Sequence, residues 1–204
     1  MKSASVPRMV LRDGSRVDVR PIAATDKDLI RQGFARLSPE SRYRRFLSSM
    51  PALDDRALAY LTELDHHDHE ALIALDVESH EGVGVARFVR DSAEPASAEV
   101  AVTVVDDWQG RGLGTALLGE LADRAREEGV RRFTALVLAE NRNMLGMLGE
   151  LGAARVVDRE QGTVELAVDL PPEGVAPELV EWLRAAARGL VDLVRRDEPR
   201  PAQR

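Results

Sequence analysis

Residues Val104 to Leu118 read VVDDWQGRGLGTALL. An apolar, strand-like run ends at Asp106-Asp107, a glycine-rich turn occupies Gln109 to Gly114, and a helix pattern starts directly after it. Gly110, Gly112 and Gly114 remove side chains where a backbone must turn sharply or approach a ligand closely. A helix start leaves N–H groups without intrahelical partners and carries partial positive charge. Strand, glycine turn and helix N-terminus together form a site for a phosphate or pyrophosphate. A bare joint between strand and helix would use the same glycines, so the strand-before, helix-after context carries the functional reading.

Two better-known phosphate motifs fail here. A P-loop needs Gly-Lys-Ser/Thr, and Gly114 is followed by Thr115 with no lysine. The dinucleotide fingerprint G-x-G-x-x-G fails because Thr115 stands three residues after Gly112 and Leu117 three after Gly114. What remains is Gln109-x-x-Gly112-x-Gly114 behind an apolar strand.

Working outward, Ala98 to Val105 reads as that strand. Val100, Val102 and Val104 share one face, and Glu99, Ala101, Thr103 and Val105 the other. Beyond the turn, Leu113, Leu117 and Leu121 form an apolar helix stripe that ends at Gly129. Arg132 to Leu138 is a further strand, which predicts a parallel crossover. A helix over Asn141 to Leu151 closes at Gly152, and Ala154–Val157 with Thr163–Val168, joined near Gln161-Gly162, form a last hairpin. On the N-terminal side, Met9 to Ile22 reads as a hairpin about Asp13-Gly14, after a frayed tail over 1–7. Three helices follow. The first is capped by Thr25, the second starts at Ser38-Pro39, and the third runs from Leu53 to Leu64. In the second, Tyr43, Phe46 and Leu47 are expected inward and Arg42, Arg44 and Arg45 outward. Ala71–Val77 and Gly82–Arg90 are strands.

Asp65-His66-His67-Asp68-His69 is the dense histidine cluster, but adjacent histidines point apart and the i, i+4 ligand spacing is missing. It is read as a polar loop, with no metal site. Pro171-Pro172 marks a break, so the domain covers 8–170 and the extension 171–204. Glu178 to Arg196 is an amphipathic helix, expected to pack on its own domain or on a second copy in a homodimer; a regulatory lid is the sharper alternative. The last residues, 197–204, read as disordered.

At 204 residues, 44% hydrophobic and 31% charged, the chain suits one ample globular domain with an appendage. Its net charge of −7 argues against nucleic acid and is compatible with a cationic amine. No apolar run is long enough to span a bilayer, no secretory segment follows Met1-Lys2, and a cytoplasmic location is the default expectation. With no cysteine there is no disulfide, thiolate metal site or thiol nucleophile.

Gln109 to Gly114 resembles the acyl-CoA signature [QR]-x-x-G-x-[GA] of the GNAT N-acetyltransferase superfamily, and the element order over about 16–170 is similar to that fold. The resemblance implies an α/β (α+β) architecture, with a mixed central sheet of about seven strands and helices on both faces. It is closer to one branch, the acetyltransferase domain of bacterial protein-lysine acetyltransferases, through Leu37 to Tyr43, Asp65-His66, Ala98-Glu99-Val100-Ala101 and Ala139-Glu140-Asn141-x-x-Met144. With no room in 204 residues for a nucleotide-sensing domain, cyclic-nucleotide control is not carried over. The resemblance implies acetyl-CoA as cosubstrate and no metal. It places Val102, Val104 and Val105 on the pantetheine and carbonyl, Gln109, Gly110, Arg111, Gly112, Leu113, Gly114 and Thr115 on the pyrophosphate, and Asn141 on the cofactor. Glu99 lies at the position resembling the branch's general base; a surface strand carboxylate is its plain alternative, and a helix cap that of Asn141.

One departure stands out. Leu148 occupies the register where many members carry a tyrosine that protonates the leaving thiolate, and Tyr43 and Tyr60 lie in the early helices. The acceptor implied is a protein lysine, attacked directly in a ternary complex. A small-molecule amine and a non-catalytic acyl-CoA-binding module are the alternatives.

Overall fold

The computed structural model describes residues 8–160 and 162–171. The tail before Arg8, residue 161 of the last hairpin turn, and the C-terminal helix and tail expected beyond Pro171 lie outside the described residues. Eight strands form one sheet in the order β1-β2-β3-β4-β5-β6-β8-β7, the N-terminal hairpin supplying two of them. They are β1 (Arg8–Val10), β2 (Arg16–Pro21), β3 (His69–Asp76), β4 (Gly82–Arg90), β5 (Ser97–Val104), β6 (Arg132–Leu138), β7 (Ala153–Glu160) and β8 (Thr163–Asp169). The helices are α1 (Lys27–Ala35), α2 (Pro39–Phe46), α3 (Asp55–Thr62), α4 (Leu113–Glu127) and α5 (Arg142–Leu151). No helix among the described residues is long and apolar enough to cross a membrane.

Side chains that alternate along a strand feed two separate cores. On β3, Leu72 and Ala74 join the cluster built on α4, while Ala71 and Ile73 join Ile30 of α1 and Leu58 and Leu61 of α3. The sheet therefore lies between α4 on one face and α1 with α3 on the other. The α4 stripe is as the spacing predicts: Leu113, Leu117 and Leu121 are at most 1% exposed, each such side chain contributing about 1.5–3 kcal/mol. Gly84 lets this helix approach, because a Cβ there would lie 2.9 Å from Leu117 Cδ1 and 3.2 Å from Leu113 Cδ2. Phe88 and Phe133 pack behind it with ring centroids 6.3 Å apart.

Local start signals hold in part. Ser38 Oγ accepts from Ser41 N at 3.1 Å with Pro39 in the first turn of α2, and Asp54 caps α3 through Ala57 N at 2.7 Å. Thr25 does not cap α1. It lies in a 3-10 turn, Ala24–Asp26, that ends where Asp26 accepts from Arg20 Nη1 at 2.7 Å and from Ala23 N at 2.8 Å.

The crossover through α4 makes β5 and β6 parallel, as the strand–helix–strand series implies, and every other pairing is antiparallel. That parallel pairing covers only Ser97↔Arg132, Ala98↔Phe133 and Glu99↔Thr134. Past Glu99, β5 stays with β4 as far as Gly84↔Val104, and β6 stays with β8 as far as Leu138↔Thr163. The sheet opens as a wedge whose apex is Glu99.

Gly152 ends α5, but not through a left-handed cap: its φ of −179° is extended. The requirement is steric, since a Cβ there would lie 2.1 Å from the Asp169 carbonyl oxygen on β8. Gly152→Ala must push α5 off the β7–β8 hairpin. We expect a loss of about 2 kcal/mol or more and a melting temperature lower by about 4–8 °C, read by thermal denaturation.

Candidate functional site

The wedge exposes one edge of β5. Val105 N donates to Val83 O at 3.1 Å, on β4. Because N–H and C=O directions alternate along a strand, Thr103 and Ala101 also face β4, and the amides of Val102 and Val104 face the opening. The Val104 carbonyl on that edge accepts from Gln109 Nε2 at 3.1 Å; the same amide reaches Ser41 Oγ at 3.3 Å and Asp106 Oδ1 at 3.4 Å. Gln109 thereby ties the glycine turn to the end of β5 and to α2.

The turn itself is held from both sides. Buried Trp108 anchors its start in the core, and the Arg111 guanidinium lies 4.7 Å over the indole while pairing with Asp13 at 3.2 Å. Arg12 N donates to Arg111 O at 3.2 Å. Gly110 (φ 77°) and Gly112 (φ 89°) adopt the left-handed conformation that favours glycine. Gly114 serves differently: inside α4, a Cβ would sit 2.7 Å from Met147 Sδ on α5. Gly112 caps α4 without a side chain, and the first turn holds no acidic residue, so the helix start presents bare amides and positive potential.

These parts enclose a cavity of about 470 Å³. It brings together Val102, Val104, Gln109, Gly110, Gly112, Leu113, Gly114, Thr115 and Asn141. Val105 and Arg111, grouped with them in the sequence reading, do not line it. Val105 is committed to the β4 ladder with its side chain buried, and the Arg111 side chain is turned onto Trp108 and Asp13. Asn141 caps α5, its Oδ1 accepting from Met144 N at 3.2 Å. Leu148 is fully buried, and no tyrosine lines the cavity.

Sequence reasoning missed the cations. Arg12, Arg44, Arg45 and Arg142 line the cavity of a chain whose net charge is −7. Arg12 covers Gly112 so closely that a Cβ there would lie 3.3 Å from its Nε. Expectations for α2 fail at Tyr43, which is 49% exposed, at Arg44, which lines the cavity, and at Arg45, which faces cavities on both sides of β5 instead of solvent. The short α2 lies over a strand edge, so its inward face differs from the one its apolar residues suggest.

On the opposite face of β5, Glu99 lies exposed at a groove of about 320 Å³ with Arg45, Met50, Tyr60 and Arg87. Ala101 and Arg45 border both this groove and the larger cavity, which therefore meet beside the wedge.

The histidine loop sends its rings to three different partners. His66 Nδ1 lies 2.7 Å from buried Glu70, His67 Nδ1 2.5 Å from Glu128, and His69 Nε2 3.0 Å from Arg87 Nη1. Asp65 Oδ1 accepts three backbone N–H groups, from His67, Asp68 and His69. Among the described residues no three His, Cys, Asp or Glu side chains converge as metal ligands do.

Comparison with known proteins agrees with this geometry. The profile of the family described as Acetyltransferase (GNAT) family matches residues 32–153, more than half of the chain. Acetyltransferase Pat of Mycolicibacterium smegmatis is 36% identical over 187 residues, covering 90% of this chain and 56% of that protein. The chain thus spans little more than half the length of that relative. The GNAT domain of S. lividans PAT superposes with a TM-score of 0.74 at 36% identity, covering 80% of this chain and 96% of that one. A GNAT superfamily phosphinothricin acetyltransferase from Sinorhizobium meliloti, in complex with AcCoA, shares the fold at 20% identity with a TM-score of 0.61, covering 80% of this chain and 97% of that one.

The His69 environment yields a test. Burial, and then the positive charge of Arg87, push its pKa down from 6.5 to about 4. Above 6.5 the ring is neutral folded and unfolded and contributes no pH dependence. As pH falls from 6.5 to about 4, the unfolded chain takes up a proton that the folded chain refuses, so stability is lost across that window. His69→Gln keeps an acceptor for Arg87 but cannot protonate. Chemical denaturation at pH 7 and pH 4.5 should show the variant losing less stability than wild type, by about 1–2 kcal/mol after discounting for a half-buried ring.

Proposed function

Because the chain belongs to the GNAT acetyltransferase family, we propose that the wedge binds acetyl-CoA and that acetyl passes directly from its thioester to an amine, a protein lysine above all. The observation that carries this reading is the opened β5 edge next to a bare helix start. An extended pantetheine can add to the free edge at Val102 and Val104 as a strand would, and a pyrophosphate fits the amides of Gly110 to Thr115 beside Arg12. An amide on the Val102–Val104 edge polarises the thioester carbonyl as negative charge builds on its oxygen. Asn141 lines the same cavity from the start of α5.

Glu99, at the apex of the wedge, is the base in this reading. It takes a proton from the acceptor ammonium, directly or through one water; the amine nitrogen then bonds to the carbonyl carbon and releases its second proton to water, the C–S bond breaks, and CoA leaves as thiolate. With no cysteine in the chain there is no thiol acyl-enzyme, and with Leu148 buried where the resemblance expects a tyrosine, water protonates the thiolate. The open groove and exposed Glu99 suit a side chain presented from a protein surface better than an enclosed small molecule. The residue at 148 is also what favours a binding-only module. Labelled acetyl-CoA with cell lysate and an amine panel separates these readings: label on proteins supports the first, label only on small amines replaces the acceptor, and binding without turnover leaves the module.

Gly112→Glu should abolish acetyl-CoA binding in a folded protein, because a carboxylate at a left-handed turn position adds strain, bulk and repulsion where phosphate is held. Unchanged affinity by calorimetry would show that the cavity is not the cofactor site.

Glu99→Gln keeps size and hydrogen-bonding reach but removes the proton acceptor. Turnover should fall by about 10²–10⁴-fold while acetyl-CoA affinity stays within about twofold of wild type. A variant with wild-type turnover would remove Glu99 from the mechanism.

A further inference from the structure

The groove beside Glu99 holds two guanidinium groups with no carboxylate partner among the described residues. Arg45, in the last turn of α2, has the Phe46 ring 4.9 Å below it and forms no ion pair with a described residue. Arg87 on β4 is 5% exposed and donates only to neutral acceptors, His69 Nε2 and the Leu61 carbonyl, each at 3.0 Å. Burial lowers the pKa of both, and the charge of Arg45 helps to bring Arg87 down to about 10. Arg87, removed from water among neutral acceptors, loses solvation that they only partly return, and for Arg45 the charge of Glu99 offsets burial only in part. The carboxylate of Glu99 shares the groove and its charge acts favourably on Arg45, but the two side chains do not meet as an ion pair.

A groove with a separated anion and cation complements a ligand that carries both charges. An ammonium fits Glu99, and the planar fork of a guanidinium matches a carboxylate through two parallel hydrogen bonds. We propose that the acceptor taken by this groove is a lysine-type amine that also carries a carboxylate, at the α-carbon or on a flanking residue, with Arg45 as the carboxylate's partner and Arg87 reinforcing the positive field. Arg45 is a specificity-determining residue in this assignment. The inference rests on the amine-acetyltransferase reading and narrows its acceptor. The carboxylate can belong to a free amino acid or to an acidic residue flanking a protein lysine; the chemistry is the same.

Calorimetry on the full chain loaded with CoA tests this without turnover. One pair of probes, Nα-acetyl-lysine and its amide, reports on an amino-acid carboxylate. A second pair, the blocked dipeptides acetyl-Lys-Glu-amide and acetyl-Lys-Gln-amide, reports on a flanking acidic side chain. In at least one pair the carboxylate member should bind about tenfold tighter or more. Arg45→Met should bring that ratio to within about twofold, while Arg45→Lys, which keeps the charge without the fork, should retain part of it. Equal binding within both pairs in the wild type overturns the proposal and needs no variant; a preference that survives Arg45→Met also overturns it. Failure here leaves amine acetylation standing, whereas a protein that acetylates no amine leaves the binding result standing.

Discussion

Past Glu99 and Thr134, β5 and β6 no longer pair, and the chemistry proposed for this chain depends on that separation. Continued pairing would consume the Val102 and Val104 amides in a parallel ladder and leave the cavity closed. An open edge inside a sheet is costly if its polar groups stay dry and unpaired, and productive if a ligand completes them. The wedge is kept open by what stands on either side of it. β4 holds β5 to its end, β8 holds β6 to its end, and α4 and α5 meet across the mouth at Gly114 and Met147.

Charge is distributed by the same geometry. The chain is acidic as a whole, yet Arg12, Arg44, Arg45 and Arg142 gather around the cavity, where the α4 N-terminus adds its own positive potential. Long-range net charge and local site charge are thus opposite in sign, which concentrates positive potential at one place on an acidic chain. The histidine loop belongs to the scaffold around this site. Asp65 folds the loop through its backbone amides, and His69 holds the buried Arg87 that faces the second groove.

Much of the fold was legible because it is written locally. A period of two marked β5, the Leu113–Leu117–Leu121 spacing marked α4, and Ser38-Pro39 marked the start of α2. Misreadings came where tertiary contacts outweigh local preference. Thr25 lost its cap because Asp26 is recruited by Arg20 from β2, and Tyr43 and Arg45 exchanged roles because α2 lies over a strand edge. Gly152 does end α5, as its position suggests, but it is required by contact with a carbonyl on β8 and not by a left-handed cap, which no local signal could distinguish.

The sequence by itself determined the strand–turn–helix unit, because Gly110 and Gly112 take backbone angles that few other residues tolerate and the apolar periods on either side admit one structure each. It also placed Glu99 on the strand entering that unit. Only the tertiary structure decided that pairing stops at Glu99, that Arg12 from the first hairpin covers Gly112, and that Arg45 faces both cavities. It likewise removed Val105 and Arg111 from the cavity, through a ladder bond to Val83 and a stack on Trp108. Strand separation and the meeting of residues far apart in the chain follow from how layers pack against one another, and the free energy of that packing belongs to pairs of distant segments instead of to any one window of sequence.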